Sequence, residues 1–554
     1  MMSLADELRA ERALSPAAVW DAAEARLDRP VEAGLNTAHE ACDRWQGDRG
    51  RLALIVSHPD GRSERWTYAE LSRASRRFAN ALKAAGLHRG DRFAAVLTRQ
   101  VETQICCLAA WRAGLIYTPM FVGFGPDALA ARLNAADVPA VVVDYRYRDL
   151  LEQARALVRR DMVVFSVAGP GGRGIHPGDR SVWSEIDRYG PDFHTARTTA
   201  SDPATLIFTS GTTGAPKGCI QPHSLVLGLQ PFLRHTFALQ GPDMLFAGAD
   251  PGWSYGLYTT GAAVMALGAC RVIHTGDFEP RAWLDVLERE QVTYVSAAPT
   301  AYRQVAQAAR RYGLASSVRG ATSAGEPLDA ALVSSWQAIG GGDLQDSYGQ
   351  SESGMLLANL AFEQRAIVPG SLSSVVPGFD VALVDEHGEP AESQGILALH
   401  QPRYQASVGY WNDDDRWRER WRGDWFLTGD IFRRGDSGGW CFVGRADDLI
   451  ITSGYNVGPA EVESIILEQP GVADVAVVAA PDPRGGVTVR AVIVPDGSVG
   501  QDRLTISARD SVRARLGRHA YPRVVDFAGE LPRTETGKLR RNVLRDSYQP
   551  GQAG

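Results

Sequence analysis

Short β-rich apolar runs alternate with amphipathic helical patterns in the N-terminal part of the chain, and this alternation restricts the fold more than any other feature. Leu52 to Val56 reads as a strand. Thr67, followed three residues later by Glu70, forms a capping box, since hydroxyl and carboxylate can each accept the other residue's backbone N–H. Leu71, Ala74, Phe78 and Leu82 then recur at helical spacing, and Gly86 stands where a helix ends. Phe93 to Leu97 is the next strand, Glu102 to Gly114 the next helix, and the runs at Val141–Asp144 and Met162–Val167 continue the series. Repeated βαβ units imply α/β architecture, mostly parallel sheets covered by helices, with ligands at the carboxyl ends of strands.

The chain has 554 residues, enough for three or four folding units at about 100–200 residues each. The last ~110 residues change character. Two close strands, Ala473–Ala480 and Arg490–Pro495, flank a polar turn and suggest a small α+β unit. Gly444-Arg445-Ala446-Asp447-Asp448 is a polar break before them. The expected division is therefore a large domain over 1–443 and a small one over 444–554.

With 58 Lys and Arg against 65 Asp and Glu the net charge is −7, so no global positive field recruits nucleic acid or anionic lipid. Asp413 to Trp425 is rich in Arg and Trp, but five acids oppose four arginines there, and a plain structural role is expected. The six cysteines lack CxxC or zinc spacing and read as buried reduced thiols. The N-terminus has no apolar signal core, and the longest mostly apolar stretch, Gly256 to Cys270, is shorter than the ~18 residues a membrane span needs. A cytoplasmic protein is expected.

The strongest chemical signal is Thr205 to Gly218, TLIFTSGTTGAPKG. An apolar strand enters a loop holding Thr209, Ser210, Gly211, Thr212, Thr213, Gly214 and Lys217. Glycines let backbone N–H groups face an anion, hydroxyls donate to phosphate oxygens, and the lysine adds a charge. The spacing differs from a GxxxxGK[ST] phosphate loop.

This motif resembles the phosphate-loop signature of the adenylate-forming enzymes: acyl-CoA synthetases, peptide-synthetase adenylation domains and luciferases. Five further motifs stand in the family's order. Gly325-Glu326-Pro327 is similar to the adenine-facing loop. In Asp346-Ser347-Tyr348-Gly349-Gln350-Ser351-Glu352, the resemblance implies Tyr348 on the purine, Ser351 facing the α-phosphate and Glu352 on Mg²⁺. It implies a ribose acceptor at Asp430, a ribose or phosphate contact at Arg445, a hinge over 445–448 with Asp447 as pivot, and a catalytic lysine at Lys538 in LPRTETGKLR.

The resemblance implies ATP, Mg²⁺ and coenzyme A as partners. A carboxylate attacks the α-phosphate of ATP, pyrophosphate leaves, and a thiol then displaces AMP from the acyl-adenylate. The small domain turns between the halves, withdrawing Lys538. Asp250 to Leu257 resembles the acyl-pocket segment, with Trp253 and Tyr255 as lining. Acetate-specific relatives place Trp at the position of Gly349, so glycine is expected to leave room for a larger acid: short-branched, medium-chain or aryl. This points to fatty acid or aromatic acid metabolism. His223 stands open between an acyl-site and a structural role. On the thiol side the expectations are Gly454 beside the pantetheine and Arg513 at the CoA phosphate; Asn456 departs from the basic residue common there. The leading expectation is an acyl-CoA ligase, monomer or homodimer. Its alternatives are an acyl-AMP ligase that loads a carrier protein and a non-catalytic nucleotide-binding protein on the same fold.

Overall fold

A computed structural model describes residues 3–548 apart from 210–215, 326–327, 364–366, 453–454, 483–486, 519 and 534–538. The chain divides into two compact units: Met1–Val381 with Leu399–Asp424, and Ala382–Ala398 with Trp425–Gly554. The unit that holds the C-terminal residues thus also takes in 382–398 and 425–443.

The first unit contains two large sheets. In one, the strand order is Ser374–Val375, Gly354–Ala358, Leu344–Gln350, Gly320–Ala324, Tyr294–Ser296, Met244–Ala247, Cys270–His274, Leu52–Ser57 and Ser63–Thr67. Its six interior strands from Leu344–Gln350 to Leu52–Ser57 pair in parallel, and antiparallel strands close the edges. The other sheet runs Arg180–Ser181, Val163–Val167, Ala140–Asp144, Arg92–Val96, Ile116–Pro119, Pro203–Thr209 and Lys217–Pro222, parallel until the last, antiparallel pair.

The local reasons are those read from the residues. Thr67 caps the helix Tyr68–Ala84 with both bonds of the box formed, Glu70 accepting the Thr67 N–H at 2.8 Å. Leu71, Phe78 and Leu82 are completely buried, and Gly86 takes a positive φ of 89° just past the helix end. The following helix, Val101–Ala113, is buried on nearly all sides, enclosed by protein, and its few buried polar side chains must find partners there. Its Arg112 is fully buried and donates to both oxygens of Asp43 at 2.6 and 2.9 Å. A charge that deep is tolerated only because it is paired and hydrogen-bonded.

In the second unit, Val472–Pro481 pairs antiparallel with Val487–Pro495, and Val524–Phe527 adds in parallel. Helices Pro459–Leu467 and Gln501–Leu516 supply Val462, Ile466, Ala508 and Val512 to a core with Val477, Ala491 and Ile493. A further sheet in this unit carries Trp425–Arg434 against Trp440–Arg445. All six cysteines are free thiols, five of them buried. Among the described residues no helix is long and apolar enough to cross a membrane.

Candidate active site

In the first unit the motif residues gather at the carboxyl ends of neighbouring strands, where parallel α/β sheets place ligands. Ser323 and Ala324 end one strand and pair with Asp346 and Ser347 of the next. The Ser347 hydroxyl donates to the Ser323 carbonyl at 2.7 Å, locking the two ends together. Gly325 follows with φ 94°, a backbone shape that favours glycine. Glu326 and Pro327 lie outside the described residues.

Asp346 is buried, and its carboxylate accepts the N–H of Leu328 at 3.2 Å and of Ser347 at 2.8 Å. Burial raises its pKa to about 7, against the pull of those two bonds. Tyr348 is half-buried and pairs across the strand with Leu357. Gly349 corrects one expectation. A Cβ built there would stand 2.2 Å from the Gly354 carbonyl oxygen and 2.8 Å from the Met355 Cα. The glycine admits the close approach of the antiparallel strand at a register shift, so the missing side chain does not simply leave room for substrate.

The phosphate-loop strand Pro203–Thr209 pairs antiparallel with Lys217–Pro222, with Thr209 opposite Lys217. Ser210, Gly211, Thr212, Thr213 and Gly214 lie outside the described residues, but this pairing fixes both ends of their loop. Lys217, Cys219 and Gln221 share one face of the second strand, because side chains alternate with period two. The Lys217 ammonium stands 5.5 Å from the centroid of the Tyr410 ring. The buried Cys219 thiol interacts with the side chains of Thr209 and Glu352. Gln221, fully buried, donates from Nε2 to the Ser254 hydroxyl at 2.6 Å and to the Ser351 carbonyl at 3.3 Å. Sequence reasoning missed Gln221 and Tyr410, because both lie outside the motifs and neither residue type carries a chemical signal of its own there.

Through Gln221 the acyl segment lies beside Ser351 and Glu352. Trp253 packs against Phe121 and Phe124, with ring centroids 5.5 and 6.1 Å away, and Tyr255 shares a 3.0 Å hydrogen bond with Ser296. Glu352 is buried and accepts the Tyr410 hydroxyl at 2.9 Å. Among the described residues no group of three or more His, Cys, Asp and Glu side chains could hold a metal ion. Glu352 could serve as a single carboxylate ligand to a cation. That suits Mg²⁺, a hard ion commonly held by one or two carboxylates and phosphate oxygens.

His223 is fully buried and accepts the Thr37 N–H on Nδ1 at 3.1 Å; burial lowers its pKa to about 3. It is a neutral imidazole packed on the helix Thr37–Ala41.

In the second unit, Asp430 and Arg445 are directly paired across their strands, with Arg445 Nη1 3.7 Å from the Asp430 carboxylate. Arg445 Nε donates to Asp447 at 2.9 Å. Arg513 is exposed in the last turn of Gln501–Leu516, and Gly454 lies outside the described residues. So does Lys538, although the base of its loop is built: Arg533 bridges to Leu539, Arg540 N–H reaches the Pro532 carbonyl at 2.9 Å, and Arg533 pairs with Asp474.

Comparison with known proteins bears directly on this arrangement. Residues 42–411 match the family described as AMP-binding enzyme, and residues 461–538 match the AMP-binding enzyme C-terminal domain. The chain belongs to this family.

It is 32% identical to human acyl-coenzyme A synthetase ACSM4, mitochondrial, over 95% of this chain and 93% of that protein. The crystal structure of Brucella canis acyl-CoA synthetase matches with TM-score 0.74 at 32% identity, covering 95% of this chain and 96% of that one. The anthranilate CoA ligase AuaEII, solved with anthranoyl-AMP, matches with TM-score 0.85 at 26% identity, over 94% and 98% of the two chains. The protein is thus an AMP-forming acyl-CoA ligase of the adenylate-forming superfamily, which joins a carboxylic acid to coenzyme A using ATP.

Proposed function

We propose that this acyl-CoA ligase activates an acid larger than acetate: short-branched, medium-chain or aryl. The observation that carries the reading is the Gln221 bridge, which sets the aromatic segment Trp253–Tyr255 next to Ser351 and Glu352. An apolar acyl group lying along Trp253 and the neighbouring Phe121 and Phe124 then has its carboxylate directed toward the α-phosphate. The solved relative AuaEII acts on anthranilate, an aryl acid, which supports the same size class.

The division of labour follows from charge. Two anions must meet, and the step is governed by how their repulsion is neutralised as charge builds. Thr209, the hydroxyl–glycine loop and Lys217 hold phosphate oxygens. Glu352 holds Mg²⁺, which when bound supplies positive charge to the triphosphate. Ser351 faces the α-phosphate. In the second unit Asp430 accepts from the ribose hydroxyls, Arg445 adds a contact there, and Lys538 supplies the cation of the adenylation step. The half-reactions are separated by movement about Asp447.

A panel of carboxylates with ATP, Mg²⁺ and CoA, read by the mass of the thioester, tests the substrate class. Hexanoate, branched acids or benzoate should exceed acetate by at least about tenfold in kcat/KM, since each methylene in an apolar pocket contributes about 1–3 kcal/mol. A preference for acetate would refute the size class while leaving the ligase intact.

A further inference from the structure

Residues 407–411 run alongside the strand that leaves the phosphate loop. Val408 N–H donates to the Ile220 carbonyl at 2.9 Å, Ile220 N–H to Gly409 at 2.9 Å, and Trp411 N–H to Gly218 at 2.7 Å. Cys219 and Tyr410 are directly opposed in an antiparallel bridge. This docking buries Tyr410 to 1% exposure between two opposite charges. Its hydroxyl donates to Glu352 Oε1 at 2.9 Å, while its ring face carries the Lys217 ammonium at 5.5 Å. Trp417 meets the ring edge-on at 5.2 Å, and Trp421 backs Trp417 at 6.3 Å. The Arg- and Trp-rich stretch, expected to be merely structural, therefore braces this tyrosine.

We propose that Tyr410 is a positioning residue for adenylation: its hydroxyl fixes the Glu352 carboxylate for the metal and its ring face steadies Lys217 for the triphosphate. The proposal rests on the reading of Glu352 as the Mg²⁺ ligand. A carboxylate following the end of a strand can turn either oxygen toward a ligand. The Tyr410 bond engages Oε1 and so holds the carboxylate in one orientation. Partners of this kind behind a metal ligand are commonly worth 10–100-fold in metal affinity or activity. The ring contributes separately, because an ammonium over an aromatic face is attracted whether or not the hydroxyl is present.

Tyr410→Phe removes the hydroxyl and keeps the ring. The test titrates Mn²⁺, as a spectroscopic stand-in for Mg²⁺, into the full-length enzyme with ATP and follows water-proton relaxation. Tyr410→Phe should weaken the protein-held ion about tenfold and raise the Mg²⁺ concentration for half-maximal pyrophosphate exchange by a similar factor. Near-UV circular dichroism should match wild type. Glu352→Gln should weaken the ion at least as much, and in that background Tyr410→Phe should have no further effect. Wild-type ion affinity in Tyr410→Phe, or additive losses in the double variant, would overturn the proposal alone. Wild-type affinity in Glu352→Gln would overturn the metal reading and the proposal with it.

Discussion

His223 Nδ1 accepts the backbone N–H of Thr37 at 3.1 Å, tying the residue just past the strand Lys217–Pro222 to an N-terminal helix 186 positions away. The ring must stay neutral to accept that bond, and burial holds its pKa near 3. The unfolded chain binds the proton below about 6.5, so stability is fully present above that pH and is lost as pH falls toward 3. At pH 5 the loss is about 2 kcal/mol from this group. Buried His235, also lowered to about 3, adds to it. Urea midpoints between pH 4 and 8 should fall on the acid side, and His223→Asn should flatten part of that slope. An unchanged slope in the variant would count against the assignment.

Asp346 works in the opposite sense. Its folded pKa of about 7 lies above the unfolded value of 3.8. Its contribution is therefore greatest below about 3.8, declines as pH rises to about 7, and is constant beyond. In nucleotide-free enzyme, Asp346→Asn should remove that decline, becoming relatively more stable at pH 8 than at pH 4. Denaturation curves at the two pH values decide the matter.

Gly349 and Gly325 should respond differently to alanine. At Gly349 the added carbon meets strand backbone at 2.2 Å, so Gly349→Ala must displace Gly354–Ala358 and should cost several degrees in Tm. At Gly325 nothing among the described residues lies within 4 Å of the added carbon, and the φ of 94° is what resists, a cost of about 1 kcal/mol. Thermal melts of the pair should order them so. The same clash means that Gly349→Trp, the substitution that would mimic acetate-specific relatives, should unsettle the strand before it reshapes selectivity.

Lys538→Ala should abolish adenylate formation, measured as pyrophosphate exchange, while sparing thiolysis of a supplied acyl-adenylate. In the proposed reading the lysine serves the step in which anions meet, and thioester formation from the adenylate has no such need. Equal loss in both half-reactions would contradict that division.

Much of this was legible along the chain. The capping box at Thr67 and Glu70, the strand at Leu52, the helix before Gly114 and the paired C-terminal strands all follow from patterns of two or 3.6 residues, which depend only on neighbours in sequence. The motif residues of the phosphate loop, of Asp346–Glu352 and of Asp430 could be named for a similar reason: dense runs of Gly, Ser, Thr and one charge are chemically unusual, and their order matched a known family.

Other features required the fold. Gly349 looks like an empty position in sequence, yet its meaning is set by a strand that returns within 2.2 Å. Tyr410 and Gln221 are ordinary residues until 407–411 and Lys217–Pro222 come together, because their roles consist of partners at Glu352, Ser254 and Ser351. The amino-acid order alone determined the elements, the chemistry and the family, since each is written in local spacing. Which oxygen of Glu352 accepts from Tyr410, which nitrogen of His223 accepts from Thr37 and which glycine meets a returning strand were decided only by tertiary structure. Those depend on distances between segments far apart in sequence, which no local pattern encodes.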